Sequence, residues 1–369
     1  MMNTVTSKRH IRIISVLAVL VFALPAWAMA NSRSAEGNDS GCADVPHADH
    51  PKALLSNGKL HALVFLPHAE HGYYRSARFD WAGVVGCVSL NGHKFFGEWF
   101  SQYDPLKNDS IVGPVEEFRS DDGSLGYNGP RPGELYVKPG AIGYNEAKPG
   151  DLFVKLGVGV LRKVDNAPYS FGFPYPIVDT GKWTVHVTGR SVSFRQLLKG
   201  PQGIAYIYEK TLTLDKNGSV MTLEHRFKNI GQKTIDTQVY DHDFFMLDGR
   251  PTGPGMAVHF AFEPKAPDPL GPAVKIEGKD LMFVNPLEPR RGVAGYLTGY
   301  SDKVADYDFT VEDTNTKVGV EQSSDTPLSR FYFWSTQRTI CPEAYIHLNV
   351  LPGKTSSWKI RYRFFAPSA

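Results

Sequence analysis

From about residue 53 onward the chain alternates apolar and polar positions in short runs broken by Gly, Pro, Asn and Asp, and hardly any stretch carries helical spacing. Gly58–Leu66 reads as one strand and Tyr73–Val88 as a further pair. Trp183–Thr188, Ser191–Leu197, Ile204–Leu214, Ser219–Lys228 and Thr234–Met246 follow as a meander, with Asp215–Gly218 and Asn229–Gln232 as hairpin turns. The C-terminal part repeats the style in Tyr307–Val320, Ser329–Thr336, Glu343–Val350, the turn Leu351–Lys354, and Trp358–Phe365. Asp104–Pro149, rich in Gly, Pro, Asp and Asn, reads as mostly loop, and a loop of that length in a compact domain usually serves function. No fixed-period repeat appears, so the pattern predicts an all-β antiparallel sandwich or barrel.

The N-terminus breaks this pattern. Lys8, Arg9 and Arg12 precede an apolar run from Ile13 to Leu24, and Ala26-Trp-Ala28 or Ala28-Met-Ala30 supplies small residues for cleavage. Residues 1–28 are therefore expected to be a secretory signal peptide, its apolar run short for a bilayer span. Residues 29–52, small and polar, are expected to be a flexible leader, and 53–369 a single β-sandwich domain. The expected location is secreted or periplasmic, with no stable membrane insertion after processing.

Composition narrows the partners. Loss of Lys8, Arg9 and Arg12 takes the formal net charge from +2 to −1, and no basic block remains as a footprint for nucleic acid. Gly 35, Pro 26 and 12% aromatic residues favour turns and strands. Of Cys42, Cys87 and Cys341, the pair Cys42 and Cys87 is the one expected to bridge in an oxidising compartment, leaving Cys341 free. Two neighbouring carboxylates, Asp241 and Asp243, are too few donors for a metal site, and no cofactor is expected.

Candidate chemistry comes from strand parity, since residues two apart share a face. Met221, Leu223, His225 and Phe227 share one, which makes His225 a core histidine. His242 lies between Asp241 and Asp243 in sequence and shares its face with Gln238, Tyr240 and Phe244, a mixture unlike a dry core and like a sugar-binding cleft. Glu343, Tyr345, His347 and Asn349 form a second polar face, backed by Ala344, Ile346 and Leu348. An imidazole and a carboxylate suit proton transfer near neutral pH.

Two of these blocks resemble the aldose 1-epimerases, or galactose mutarotases. Tyr240-Asp-His-Asp-Phe-Phe-Met-Leu-Asp-Gly249 is similar to that family's His strand end. Ile340-Cys-Pro-Glu-Ala-Tyr-Ile346, followed by Leu351-Pro-Gly-Lys354 and Trp358–Phe364, is similar to its catalytic-Glu strand, Pro-Gly turn and closing strand. The resemblance implies a β supersandwich and an anomer-interconverting enzyme in which Glu343 is general base on the anomeric hydroxyl and His242 protonates the ring oxygen. It implies a substrate-binding Arg at Arg75 or Arg78, which would face opposite ways in one strand. Lys155 stands where the family carries a second His. Tyr240, Asp241, Tyr345 and His347 complete the expected substrate contacts, and a sugar ring between His242 and Glu343 would hold them roughly 5 to 8 Å apart.

Two other functions fit the same pattern. One is a polysaccharide lyase or glycoside-cleaving enzyme, with Lys155 neutralising a uronate; the other is a carbohydrate-binding protein without catalysis.

Overall fold

The computed structural model describes residues 41–120 and 140–368. Among them every named strand pairs antiparallel, two short 3-10 turns occur at Leu247–Gly249 and Val304–Asp306, and there is no α-helix. The all-β expectation holds. The signal peptide and most of the leader lie outside the described residues, as does 121–139 of the expected loop.

A ten-stranded sheet carries the expected meander. Lys182–Val187, Ser191–Lys199, Ala205–Leu214 and Val220–Asn229 lie side by side in chain order, with Leu214 opposite Met221 at the Asp215–Gly218 turn. Thr355–Phe365, Val318–Ser324, Asp308–Asp313, Met256–Phe260, Asp280–Phe283 and Val274–Glu277 extend it.

The fifth expected meander strand departs from it. Ile235–His242 leaves for a five-stranded sheet ordered Val293–Leu297, Arg330–Thr336, Thr339–Val350, Ile235–His242, Val115–Arg119. Asn229–Gln232 is thus a crossing between sheets, not a hairpin, and Leu351–Lys354 is a second crossing. Buried Asn229 ties the two: its Nδ2 donates to Val350 O at 2.7 Å, its backbone N donates to Lys354 O at 3.0 Å, and its O accepts from Gly353 N at 2.9 Å. These bonds satisfy backbone groups that a sheet change would otherwise strand.

The two sheets pack face to face over the larger core. Phe118, from the inner face of Val115–Arg119, lies edge-on to Tyr208 and Trp358 of the ten-stranded sheet at 5.3 and 6.3 Å. His225 is buried there, as parity predicted, its ring stacked nearly parallel on Trp358 at 4.6 Å. Smaller sheets of four strands (Lys52–Ser56, Leu60–Phe65, Val84–Leu90, His93–Lys94) and three strands (Leu152–Lys155, Gly159–Arg162, Ile177–Asp179) complete the fold.

Three local expectations change. Tyr73–Ala82 is irregular rather than strand: the Asn108 side chain takes the Ala77 N–H, the Tyr74 hydroxyl takes the N–H groups of Arg78 and Phe79, and Gly83 turns at φ +79 before Val84–Leu90 begins. Asp104–Pro149 holds the strand Val115–Arg119. Order also begins before Ala53, because Cys42 is buried and bonded to Cys87 as a disulfide.

Candidate active site

The outer face of the five-stranded sheet floors a cavity of about 450 Å³. Register sets its centre. Ile235 pairs with Val350, Val239 with Ile346, and Phe245 with Ile340, and that one register places His242 opposite Glu343 and Tyr240 opposite Tyr345. His242 Nε2 and Glu343 Oε1 are 3.6 Å apart. That separation follows from directly opposed residues on neighbouring strands and is too long for a hydrogen bond. It is also too short for a sugar ring between them, so the expected 5 to 8 Å spacing is corrected.

Each group is held from behind. The Tyr345 hydroxyl donates to Glu343 Oε2 at 2.8 Å and accepts from Arg119 Nη1 at 3.0 Å. Burial raises Glu343 to about 7, against the lowering effects of Tyr345 and the two arginines. The His242 ring stacks on Phe244 at 3.9 Å and meets Phe79 and Trp334 edge-on. Burial, then the nearby Arg78 charge, holds its pKa well below the ordinary imidazole value. His242 Nδ1 bonds the Cys341 sulfur, which also accepts the Phe244 N–H at 3.2 Å. Burial keeps Cys341 a thiol. With its sulfur already accepting, we assign the thiol proton to Nδ1 and the imidazole proton to Nε2, facing Glu343.

Glu117 organises the next row. Its Oε2 accepts from Arg78 Nε at 2.9 Å and from the Tyr240 hydroxyl at 2.6 Å, while Oε1 pairs with Lys155 Nζ at 3.2 Å. Burial alone would raise this carboxyl, but Arg78, Lys155 and Arg119 together hold it well below the carboxylate range. Arg78 also reaches Asp109 at 2.5 Å and lies over the Phe171 ring. Trp99, Phe244, Trp334 and Tyr332 supply aromatic walls of the kind on which the apolar face of a sugar packs.

Of the expected site residues, His242, Glu343, Arg78 and Tyr240 wall the cavity, and Tyr345 lies directly behind Glu343. Four do not reach it. Lys155 is buried behind Glu117, donating to it and to Phe118 O at 2.7 Å, with its pKa lowered to about 8 by burial. Arg75 is absent from the walls and lies near Tyr103. His347 bonds Asp236 at 2.6 Å at the exposed end of its strand. Asp241, one residue from Tyr240 and His242, points to the opposite face and meets Tyr362 in the interior. His242 is therefore flanked by a thiol and Glu343, not by two aspartates.

Glu117, Arg119, Asp109, Trp99 and Cys341 escaped sequence reasoning. Parity in Val115-Glu-Glu-Phe-Arg119 does put Glu117 and Arg119 on one face, and recognising that run as a strand would have found both. Gly113 lets the strand enter, since a Cβ there would lie 2.4 Å from His242 O and 2.6 Å from Asp243 O.

A larger hollow of about 600 Å³ lies on the outer face of the ten-stranded sheet among Thr184, Ser193, Arg195, Glu209 and Arg226. Glu209 is shared there between Arg195 and Arg226, as on an ordinary solvated sheet face. The shifted pair His242 and Glu343 sits in the smaller cavity, which is the better candidate.

No protein-family model matches the chain, and no curated protein is similar to it in sequence. Solved structures are similar in fold. A galactose mutarotase-like protein from Clostridium acetobutylicum aligns over 85% of this chain and 95% of its own at TM-score 0.51 and 13% identity. A putative aldose 1-epimerase from Escherichia coli K12 aligns over 86% and 99% at 0.48 and 11%, and a galactose mutarotase-like protein from Lactobacillus casei over 85% and 100% at 0.47 and 11%. Among the described residues the sheets are antiparallel and two of them form a sandwich, in agreement with the Clostridium acetobutylicum alignment: the chain has the galactose mutarotase-like fold.

Proposed function

We propose that the protein is a secreted or periplasmic carbohydrate-active enzyme that interconverts sugar anomers, with Glu343 as acid/base and His242 as hydrogen-bond donor. The observation that carries this reading is the His242–Glu343 pair, 3.6 Å apart and unbonded at the floor of an aromatic-walled cavity. Anomer exchange needs a proton taken from O1 and one given to the ring oxygen. Both oxygens are bonded to C1, so neighbouring groups on one side of the ring reach both.

Glu343 as carboxylate removes the O1 proton, the C1–ring oxygen bond breaks and C1=O1 forms. The resulting carboxylic acid gives its proton to the ring oxygen, which the Nε2–H of neutral His242 holds while charge develops there. After rotation about C1–C2 the same steps run backwards on the other face of the carbonyl. His242 differs here from the cationic acid that the resemblance implied, because its depressed pKa keeps it neutral. A carboxyl near 7 is well poised for the double role.

The Cys42–Cys87 disulfide and the signal-like N-terminus support the location. A lyase reading loses its main residue, since Lys155 is buried and committed to Glu117. Polarimetry on freshly dissolved α-anomers of a panel of aldoses and uronates tests the proposal. Mutarotation faster than buffer, lost on Glu343→Gln, supports it; buffer rates across the panel refute it.

A further inference from the structure

We propose that the sugar taken by this cavity is anionic, its carboxylate or phosphate held by Arg119 beside the reacting carbon. This rests on the acid/base reading above and adds the substrate class to it.

The cations on this side of the sheet are not equivalent, and Arg330, 5.2 Å from the Tyr345 ring, is not among the residues that wall the cavity. Arg78 is paired with Glu117 and Asp109, and Lys155 with Glu117. Arg119 walls the cavity, gives Nη1 to the neutral Tyr345 hydroxyl, has no partner at Nε, and forms no ion pair among the described residues. A guanidinium on a cavity wall with no carboxylate against it suits an anionic ligand, which its planar fork can hold through paired hydrogen bonds.

Arg119 is also close to the chemistry. One phenol separates it from Glu343, through bonds of 3.0 and 2.8 Å, so an anionic group on it leaves the rest of the ring over His242 and Glu343. Past Trp99 and Asp109, at the far side, the cavity adjoins a second hollow of about 540 Å³ whose walls include Lys107, Arg290 and Arg338. Positive charge at both ends of the path favours an acidic ligand over a neutral one.

The test compares anomer exchange of glucuronate, glucose 6-phosphate and glucose by NMR exchange spectroscopy, using the intact protein, Arg119→Gln and Arg119→Lys. Binding of the same three sugars is titrated in parallel. Because Arg119 also supports Tyr345, the readout is the ratio of acidic to neutral kcat/KM, which a general loss of activity leaves unchanged. The expected ratio is at least about tenfold in favour of one acidic sugar, falling toward one in Arg119→Gln and partly kept in Arg119→Lys. Preference for glucuronate identifies a carboxylate, and preference for the phosphate ester a phosphate. Exchange of all three sugars at equal efficiency, or a ratio indifferent to Arg119→Gln, overturns the anionic class and leaves the acid/base reading standing. If no sugar is exchanged, the acid/base reading fails. Titration then decides the anion site: Arg119-dependent binding of an acidic sugar supports it, and equal or absent binding overturns it.

Discussion

Glu116 and Glu117 are neighbours in one strand and live in opposite chemistries. Glu117 faces the cavity with Arg78, Tyr240 and Lys155; Glu116 faces the interior, bonded to Lys210 and, at 2.6 Å, to His225. The next strand divides in the same way. Tyr240 and His242 face out, while Asp241 and Asp243 turn inward to the Tyr362 hydroxyl.

Shifted protonation occurs on both faces. Burial raises Asp80 to about 7 and Asp241 to about 8, and raises Asp243 as well. Tyr362 has one proton and two carboxyl groups against it, so a protonated aspartate is needed to complete both bonds. A shifted carboxyl alone therefore does not mark a catalyst. Glu343 differs by lying next to open volume with a neutral imidazole that has kept a donor free.

The sharpest way to separate the faces is to remove one carboxylate from each. Glu343→Gln is expected to cost about 10²–10⁴-fold in kcat, the usual range for a lost general acid/base, with the melting temperature close to that of the parent. Glu116→Gln is expected to do the converse. Leaving Lys210 buried beside a neutral amide should cost about 3–5 kcal/mol in chemical denaturation, while the rate per folded molecule holds. If Glu116→Gln abolished activity without loss of stability, the two faces would not be independent.

His242→Asn should cost about 10²–10³-fold in kcat, as for removal of a preorganised donor, and leave the pH dependence set by Glu343 in place. A smaller effect distinguishes the interior. Asp80, Asp241 and Asp243 have folded pKa values above the ordinary aspartate value of 3.8, so the folded state holds protons that the unfolded state has released. Their contribution to stability is present below about 3.8 and is lost as pH rises toward 8. Buried His225 and His242, with lowered pKa values, act oppositely below about 6.5, so the aspartates are isolated by comparing the parent with Asp241→Asn: with rising pH the parent's melting temperature should fall more, or rise less, than the variant's. Parallel pH dependences in the two proteins from pH 5 to 8 would sink the assignment of a protonated Asp241.

The legible part of the molecule was the part that alternates. Period two marked the longer strands of the meander and of the C-terminal part, put His225 in the core, and placed His242 and Glu343 on faces that meet, while shorter strands such as Lys52–Ser56, Met256–Phe260 and Val293–Leu297 went unread. The same rule, applied to Asp241, already turned it away from His242. The hidden parts have physical reasons. Whether Asn229–Gln232 closes a hairpin or crosses between sheets depends on bonds to Val350 and Lys354, far along the chain. The Arg78 loop is shaped by Asn108 and Tyr74 side chains rather than by a periodic pattern. Glu117 and Arg119 sat in a short strand embedded in loop-like composition. Cys341 looked like a spare thiol until register brought it to His242.

In the proposed mechanism Glu343, as a carboxylate, moves the anomeric proton beside an uncharged imidazole. The most direct test of that role is the pH profile of enzyme-catalysed anomer exchange, measured by NMR between pH 5 and 9 with the buffer rate subtracted. The expected rate rises through about 7 and then levels, and that rise is missing in Glu343→Gln. A rate that falls above neutrality as an imidazolium is lost, or one that keeps its rise in Glu343→Gln, would contradict it.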